Sequence, residues 1–340
     1  MTTQMDKKKP RPTTVRLQRM VRAYRESAAL MAAVELGLFT QIAKGADTEA
    51  ELSKSLGITA LHAERIIVAC IGLGLVERDG ERLRNAPDVD RFLVEDLPQY
   101  AGEWMLFTKP DWNEWGQLTE HLQNHAPPRA DNVKVSEFTV DDARRYHRAT
   151  YSIGRGAGRL FLRQVDLATK RRMIDIGGGS GAYCIEACKV HPELSATVLD
   201  LAPVAVVARE FIAEHGLSER IEALACDFNK DAFPHAADIA VMASNLPMYG
   251  RDEFRAVVRK AYDALAPGGE MHLIGEALNA ERTAPADAAL WGLSEALVNG
   301  TGLAHSSTDV EGYFAAAGFT DISTHEFVPG VLMRTYGRKA

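Results

Sequence analysis

The chain has 340 residues, 46% of them hydrophobic and 25% charged, with a formal net charge of −7. That length suits two domains, or one large domain with an appendage, and the composition is globular rather than disordered. An acidic balance argues against nucleic acid as partner, since phosphate needs a basic face, and no uninterrupted apolar run reaches membrane-spanning length, so no membrane partner is expected.

The start carries Lys7, Lys8, Lys9 and Arg11, but no apolar h-region follows. It reads as a solvated tail, not a secretory signal. Leu17 to Leu38 is rich in Ala, Leu, Met and Val and predicts a long helix. Asp47–Leu52 opens another, with Thr48 as N-cap and Glu51 three residues on, as in a capping box; it stops near Gly57. A third helix, about His62 to Leu73, carries Ile66, Ile67, Ala69, Cys70 and Leu73 at helical spacing. Leu75–Arg84 reads as a hairpin turning at Asp79-Gly80. Helix, helix and a small ribbon make a winged-helix pattern. Such modules often bind DNA, but Glu64 and Arg65 on the candidate recognition helix give no basic face, and the ribbon mixes both signs. Dimerisation through these apolar helices fits better. This helical region is bounded at residues 1–100.

Residues 101–160 read as a helical cap or linker. Tyr100, Trp104, Phe107, Trp112, Trp115, Phe138, Tyr146 and Tyr151 gather in and beside it. They suit ordinary interdomain core or the wall of a substrate pocket.

From residue 161 to 340 strands alternate with helices. Arg172–Gly177 is a strand entering a glycine turn, followed by a helix Ala182–Val190. Further strands are Ala196–Asp200, Ile221–Asp227, Ala237–Ala243 and Glu270–Glu276. Helices Val204–Glu214 and Asp252–Leu265 lie between them, the second stopped at Pro267-Gly268-Gly269. A helix Ala284–Leu297 follows. The fold class is α/β: a doubly wound, mostly parallel, Rossmann-like sheet with an N-terminal helical domain. The four cysteines, Cys70, Cys184, Cys188 and Cys226, form no CxxC pair. They read as small buried hydrophobes in a reducing, cytoplasmic compartment, and no metal site is expected.

A parallel sheet binds ligands beyond the carboxyl ends of its strands. There the first strand runs into Gly177, Gly178, Gly179, Ser180 and Gly181, whose backbone approaches a ligand closely. The second strand ends at Asp200, an acceptor for ribose hydroxyls, and the third at Asp227-Phe228, an acid and a ring for an adenine. A dinucleotide fold shares the glycine turn. Asp175, two residues before the first glycine, instead suits a cationic amino group rather than a pyrophosphate.

With these motifs the chain resembles the class I methyltransferases, and within them the plant- and actinobacterial-type small-molecule O-methyltransferases. Ala33–Phe39 is similar to the group's dimerisation signature; Asp175–Gly181, Val198–Leu201, Cys226–Phe228 and Ala266–Gly269 are similar to its cofactor stretches. The resemblance implies S-adenosylmethionine as cofactor, S-adenosylhomocysteine as product, a homodimer and a small-molecule methyl acceptor. It also places Leu201, Ser244 and Asn245 at the cofactor.

One family feature is missing. The group carries Leu-His-Asp-Trp-Ser-Asp-Glu after the fourth strand, where the histidine is the general base. Here the run is Ser244–Glu253, with Met248 at the histidine position, or Pro247 if the alignment shifts by one. Neither is a base, and base catalysis contributes typically ~10²–10⁴-fold. His305, in a Gly-rich loop, is the spare candidate base or substrate contact; a solvated or structural role is the alternative. A thioether sulfur or an electron-rich carbon needs no base. Ala243–Tyr249, Ala289–Ala296 and Gly302–His305 look similar to the 4-methylthio-2-hydroxybutyrate S-methyltransferase of dimethylsulfoniopropionate synthesis. For such a reaction Tyr146, Tyr151 and Trp291 would face the sulfonium. Arg148, or a neighbouring arginine, would hold the acceptor carboxylate, with Asp287 and Met248 also beside the acceptor. The rivals are C- or O-methylation of an aromatic or tetrapyrrole metabolite, and a winged-helix regulator that senses the cofactor.

Overall fold

The computed structural model describes residues 12–129 and 137–340. The basic run Lys7–Lys9 and Arg11 lies outside them. The chain divides into two compact units, split after Lys109.

In the first unit, helices α1 (Val15–Arg22) and α2 (Tyr24–Glu35) replace the single long helix expected from Leu17 to Leu38. The amide of Ala23 bonds back three residues to the Met20 carbonyl, which tightens the joint. Gly37, at φ 71°, starts the short α3 (Leu38–Ala43). Helix α4 (Glu49–Ser55) carries the expected capping box between Thr48 and Glu51. Helix α5 (Ala60–Gly72) follows, then strands β1 (Val76–Asp79) and β2 (Arg82–Asn85). Asp79 pairs with Arg82, so the hairpin loop is Gly80-Glu81, one residue later than expected. Gly80 has φ 60° while Glu81 keeps negative φ, which selects the turn with glycine at its first central position. Short helices α6 (Pro87–Phe92) and α7 (Gly102–Leu106) complete the unit. Its core joins Val34, Leu38, Phe39, Leu52, Ile67 and Val76.

The second unit opens with short helices α8 (Trp112–Gly116) and α9 (Leu118–Leu122), then the 25-residue α10 (Val140–Gln164). Helix α10 runs through the boundary expected at residue 160. Trp104 therefore falls in the first unit and Trp112 and Trp115 in the second, and all three are half-buried.

Strands β3 (Arg172–Ile176), β4 (Ser195–Asp200), β5 (Ile221–Ala225), β6 (Ala237–Ala243) and β7 (Leu265–Gly275) are mutually parallel. The order is β5-β4-β3-β6-β7-β9-β8, closed by an antiparallel pair, β8 (Thr320–Val328) and β9 (Leu332–Arg338). Helices α11 (Ala182–Val190), α12 (Ala202–Glu214), α13 (Arg251–Ala264), α14 (Ala286–Ser294) and α15 (Ser307–Ala317) alternate with the strands or follow them. Strand β7 begins at Leu265, earlier than the expected Glu270, because Pro267-Gly268-Gly269 form an irregularity inside the β6–β7 pairing rather than a gap before it.

Alternation along the strands separates two apolar layers. Met173, Val198, Val241 and Ile274 face α10, α11 and α12, while Ile174, Leu199, Met242 and Leu273 face α13 and α15. All four cysteines are buried free thiols. Among the described residues no single helix is long and apolar enough to cross a membrane.

Candidate active site

The strand order reverses between β3 and β6, which opens a crevice at their carboxyl ends. Strand β3 delivers Asp175 there, then the glycine turn. The Gly177 amide donates to the Leu199 carbonyl at 2.8 Å, tying the turn to β4. Asp200 holds it from the other side: its carboxylate accepts from the Gly179 and Leu201 amides, each at 2.8 Å. Leu201 thereby starts α12 while packing against the core. Two glycines are sterically required. A Cβ on Gly178 would lie 2.6 Å from Asp175 Cγ, and one on Gly179, at φ 57°, 2.6 Å from the His147 ring.

At the end of β5, Asp227 caps its own turn by accepting from the Asn229 amide at 3.0 Å, and Lys230 pairs with it at 2.7 Å. Phe228 stands edge-on to Tyr249, ring centroids 5.0 Å apart, and reaches toward Gly177. Strand β6 ends in Ser244, whose φ of 59° turns the chain sharply. Asn245 follows and donates to the Ala243 carbonyl at 2.8 Å, with its amide against Gly177. The expected set Asp175, Gly177, Gly178, Gly179, Gly181, Asp200, Leu201, Asp227, Phe228, Ser244 and Asn245 is thus one contiguous edge of the sheet.

Burial governs its charges. Asp175 is 1% exposed, its carboxylate accepts from the Cys184 thiol at 3.7 Å and from no other side chain among the described residues, and its pKa is raised by desolvation to about 7. Desolvation raises Asp200 to about 6, against the lowering effect of its two amide donors. Among the described residues no lysine or arginine pairs with either carboxyl. Such a pair suits a ligand carrying positive charge.

Three residues at this edge were not singled out from sequence. His147 lies over Gly179 with no hydrogen bond on its ring among the described residues, and burial lowers its pKa to about 4, so it is a neutral imidazole. Tyr183 is 8% exposed and its hydroxyl has no partner among the described residues. Glu276 follows the last residue of β7, on the α10 face shared by His272 and Ile274, and burial raises its pKa. Its signal was present in the sequence: it closes the strand expected at Glu270–Glu276.

The expected acceptor residues divide. Tyr146 is in place: burial, then the charges of Asp200 and Glu276, push its hydroxyl up to about 12. Tyr151 is not. Five residues on, it points some 140° away around α10, packs on Phe211 at 4.3 Å and bonds His215 at 2.5 Å. Arg148 is exposed, on the side of α10 where Arg144 grips Glu210 at 2.7 Å. Trp291 is half-buried on α14, and the exposed Asp287 is close enough for its charge to raise the Glu276 pKa. Met248 ends a single 3₁₀ turn, Leu246–Met248, and packs into the apolar layer with Phe228 and Tyr249. Gly302 seals that turn, since a Cβ there would lie 2.3 Å from the Pro247 carbonyl oxygen.

His305 is corrected outright. It has no exposed surface, its Nε2 donates to the Tyr249 carbonyl at 2.9 Å, and its Nδ1 accepts from the Tyr313 hydroxyl at 2.8 Å. Both nitrogens are spent holding the fold, so it is no free base. An open cleft of 280 Å³ lined by Arg172, Glu219 and His235 lies at the opposite, amino end of the strands, away from this chemistry.

The O-methyltransferase domain model matches residues 133–320, and the O-methyltransferase dimerisation domain model matches residues 18–95. The chain is 32% identical to 3-hydroxy-5-methyl-1-naphthoate 3-O-methyltransferase of Streptomyces sahachiroi, over 93% of this chain and 92% of that one. It is 30% identical to the N,N-dimethyltransferase OxyT of Streptomyces rimosus, over 88% of each. The structure of human N-acetylserotonin methyltransferase in complex with SAM superposes with a TM-score of 0.81 at 22% identity, over the whole of both chains.

Proposed function

We propose an acceptor for this chain, which belongs to the O-methyltransferase family: the thioether sulfur of 4-methylthio-2-hydroxybutyrate. The chain is an S-adenosylmethionine-dependent small-molecule methyltransferase. Once bound, the cofactor supplies a methyl group on a positively charged sulfur, and a thioether that accepts it becomes a sulfonium without losing a proton.

One observation carries the choice of acceptor. Neither residue expected from sequence as the base can serve: Met248 is apolar and His305 is locked in the fold. A hydroxyl acceptor would forgo the ~10²–10⁴-fold that a base contributes. A thioether forgoes nothing.

The residues fit the cofactor. Asp175 and Asp200 would hold its cationic and hydroxylated parts, and the glycine turn admits its close approach. Asp227 and Phe228 would take the adenine. Asn245, Tyr146 and Trp291 would border the acceptor and exclude water, so that catalysis rests on alignment. Arg148, exposed beside the Arg144–Glu210 pair, would meet the acceptor carboxylate only from the rim.

A second reading has an observation of its own. The relative named above methylates a naphthoate oxygen, and Tyr146 and Trp291 would also border a flat ring. Labelled S-adenosylmethionine offered with the methylthio-hydroxy acid, a phenol and a porphyrin separates the two. We expect label in the thioether acid; label in the phenol or porphyrin alone overturns the proposal.

A further inference from the structure

The glycine turn, Asp200 and Asp227 occupy the β3-β4-β5 side of the crevice. The other side is made by β6 and β7, whose ends deliver Asn245 and Glu276. Alternation places Glu276 on the same face as Asp175, beneath α10 and α11. The charge of Glu276 reaches both Tyr146 and Tyr183. Its carboxylate accepts from its own backbone amide, and no lysine or arginine among the described residues pairs with it.

A half-buried carboxylate without a cation is costly. A buried hydroxyl donor without an acceptor is equally uncommon. Tyr183 supplies that second observation: its hydroxyl lies within reach of the charges of Asp175 and Glu276, yet bonds neither. His147, edge-on to Tyr146, adds a 9% exposed imidazole with no hydrogen bond among the described residues. Donor, imidazole and carboxylates are completed by something the chain does not contain, and the carboxylates call for positive charge.

We propose that Glu276 is the counter-charge to the sulfonium at the reacting centre, standing across the crevice from Asp175. It favours a charged sulfur over a neutral thioether. Glu276 therefore strengthens binding of the donor before transfer and does nothing for the spent cofactor, which eases its release. The inference holds whichever acceptor is used, so its failure and that of the thioether acceptor are separate results.

The test is calorimetry on the full chain with three ligands: S-adenosylmethionine, its stable analogue sinefungin, which carries an amine in place of the methylated sulfonium, and S-adenosylhomocysteine. Glu276→Gln should weaken the two cations about tenfold and leave the neutral thioether within about twofold, in keeping with loss of one close charge pair. Glu276→Asp should fall between. Equal changes for all three ligands, or none, overturn the assignment. Should Glu276→Gln fail a thermal melt, the same ratios in Glu276→Asp decide: partial loss confined to the cations supports the role, and an unchanged ratio overturns it.

Discussion

Asp175 sits where its own ionisation opposes folding. Its carboxyl has an ordinary pKa of 3.8, and burial raises it to about 7 in the folded chain. Between those values the folded protein holds a proton that the unfolded chain has released. Stability of the ligand-free protein therefore falls as pH rises from about 4 to 7, by at most about 4 kcal/mol for this group. Asp200 acts with the same sign up to about 6. His147, lowered to about 4, acts with the opposite sign between about 4 and 6.5. Asp175→Asn removes one contribution cleanly. The variant should melt at higher temperature than the parent at pH 8 and show a weaker decline between pH 4 and 7, while binding the cofactor worse. Equal melting temperatures at pH 8 would show that Asp175 is not strained by its burial. The acids at strand ends and the glycine turn were legible in sequence because three motifs agree in spacing. His147 and Tyr183 were not, because their importance lies in packing against Gly179 and in a missing partner.

Helix α10 carries more of the site than any other helix, and its start is fixed locally. Thr139 accepts from the Asp142 amide while Asp142 accepts from the Thr139 amide at 3.1 Å, a reciprocal cap on 25 residues. Thr139→Ala should cost about 1 kcal/mol, read as a fall of roughly 2–4 °C in a thermal melt for a unit of this size. No shift would mean that packing of Ala143 and Phe161 alone sets where the helix begins. The same helix shows what pattern could not supply. Tyr146 and Tyr151 looked like partners in sequence, but 3.6-residue periodicity sends them to different neighbours. Strands β3, β4 and β6 were recognisable because each is a short apolar run with buried side chains on both faces, and β5, at the sheet edge, because it alternates buried and exposed residues. The β8–β9 pair gave no comparable signal, since β8 lies at the sheet edge with most of its residues exposed or only half-buried.

At the scale of the whole molecule, the first unit leaves an apolar stripe uncovered. Leu17, Met20, Val21 and Tyr24 repeat at i, i+3, i+4 and i+7, the spacing of one helix face. They are 53–76% exposed, and α1 buries no residue within its own unit. Leaving such a face in water forgoes roughly 25 cal/mol for each Å² that another apolar surface would cover. The dimerisation domain model spans this stripe from residue 18 onward, so the partner it points to is a second copy of the chain. The acidic net charge does not oppose this, because the stripe is neutral and its flanking Arg16, Arg19, Arg22 and Arg25 are cationic. Sedimentation equilibrium at micromolar concentration should return twice the chain mass. Met20→Glu with Val21→Glu places two like charges on the same face of each copy and should shift the mass toward a single chain, with the melting of the second unit unchanged. A parent chain that sediments as a monomer, or a double variant that stays dimeric, would remove α1 from the interface.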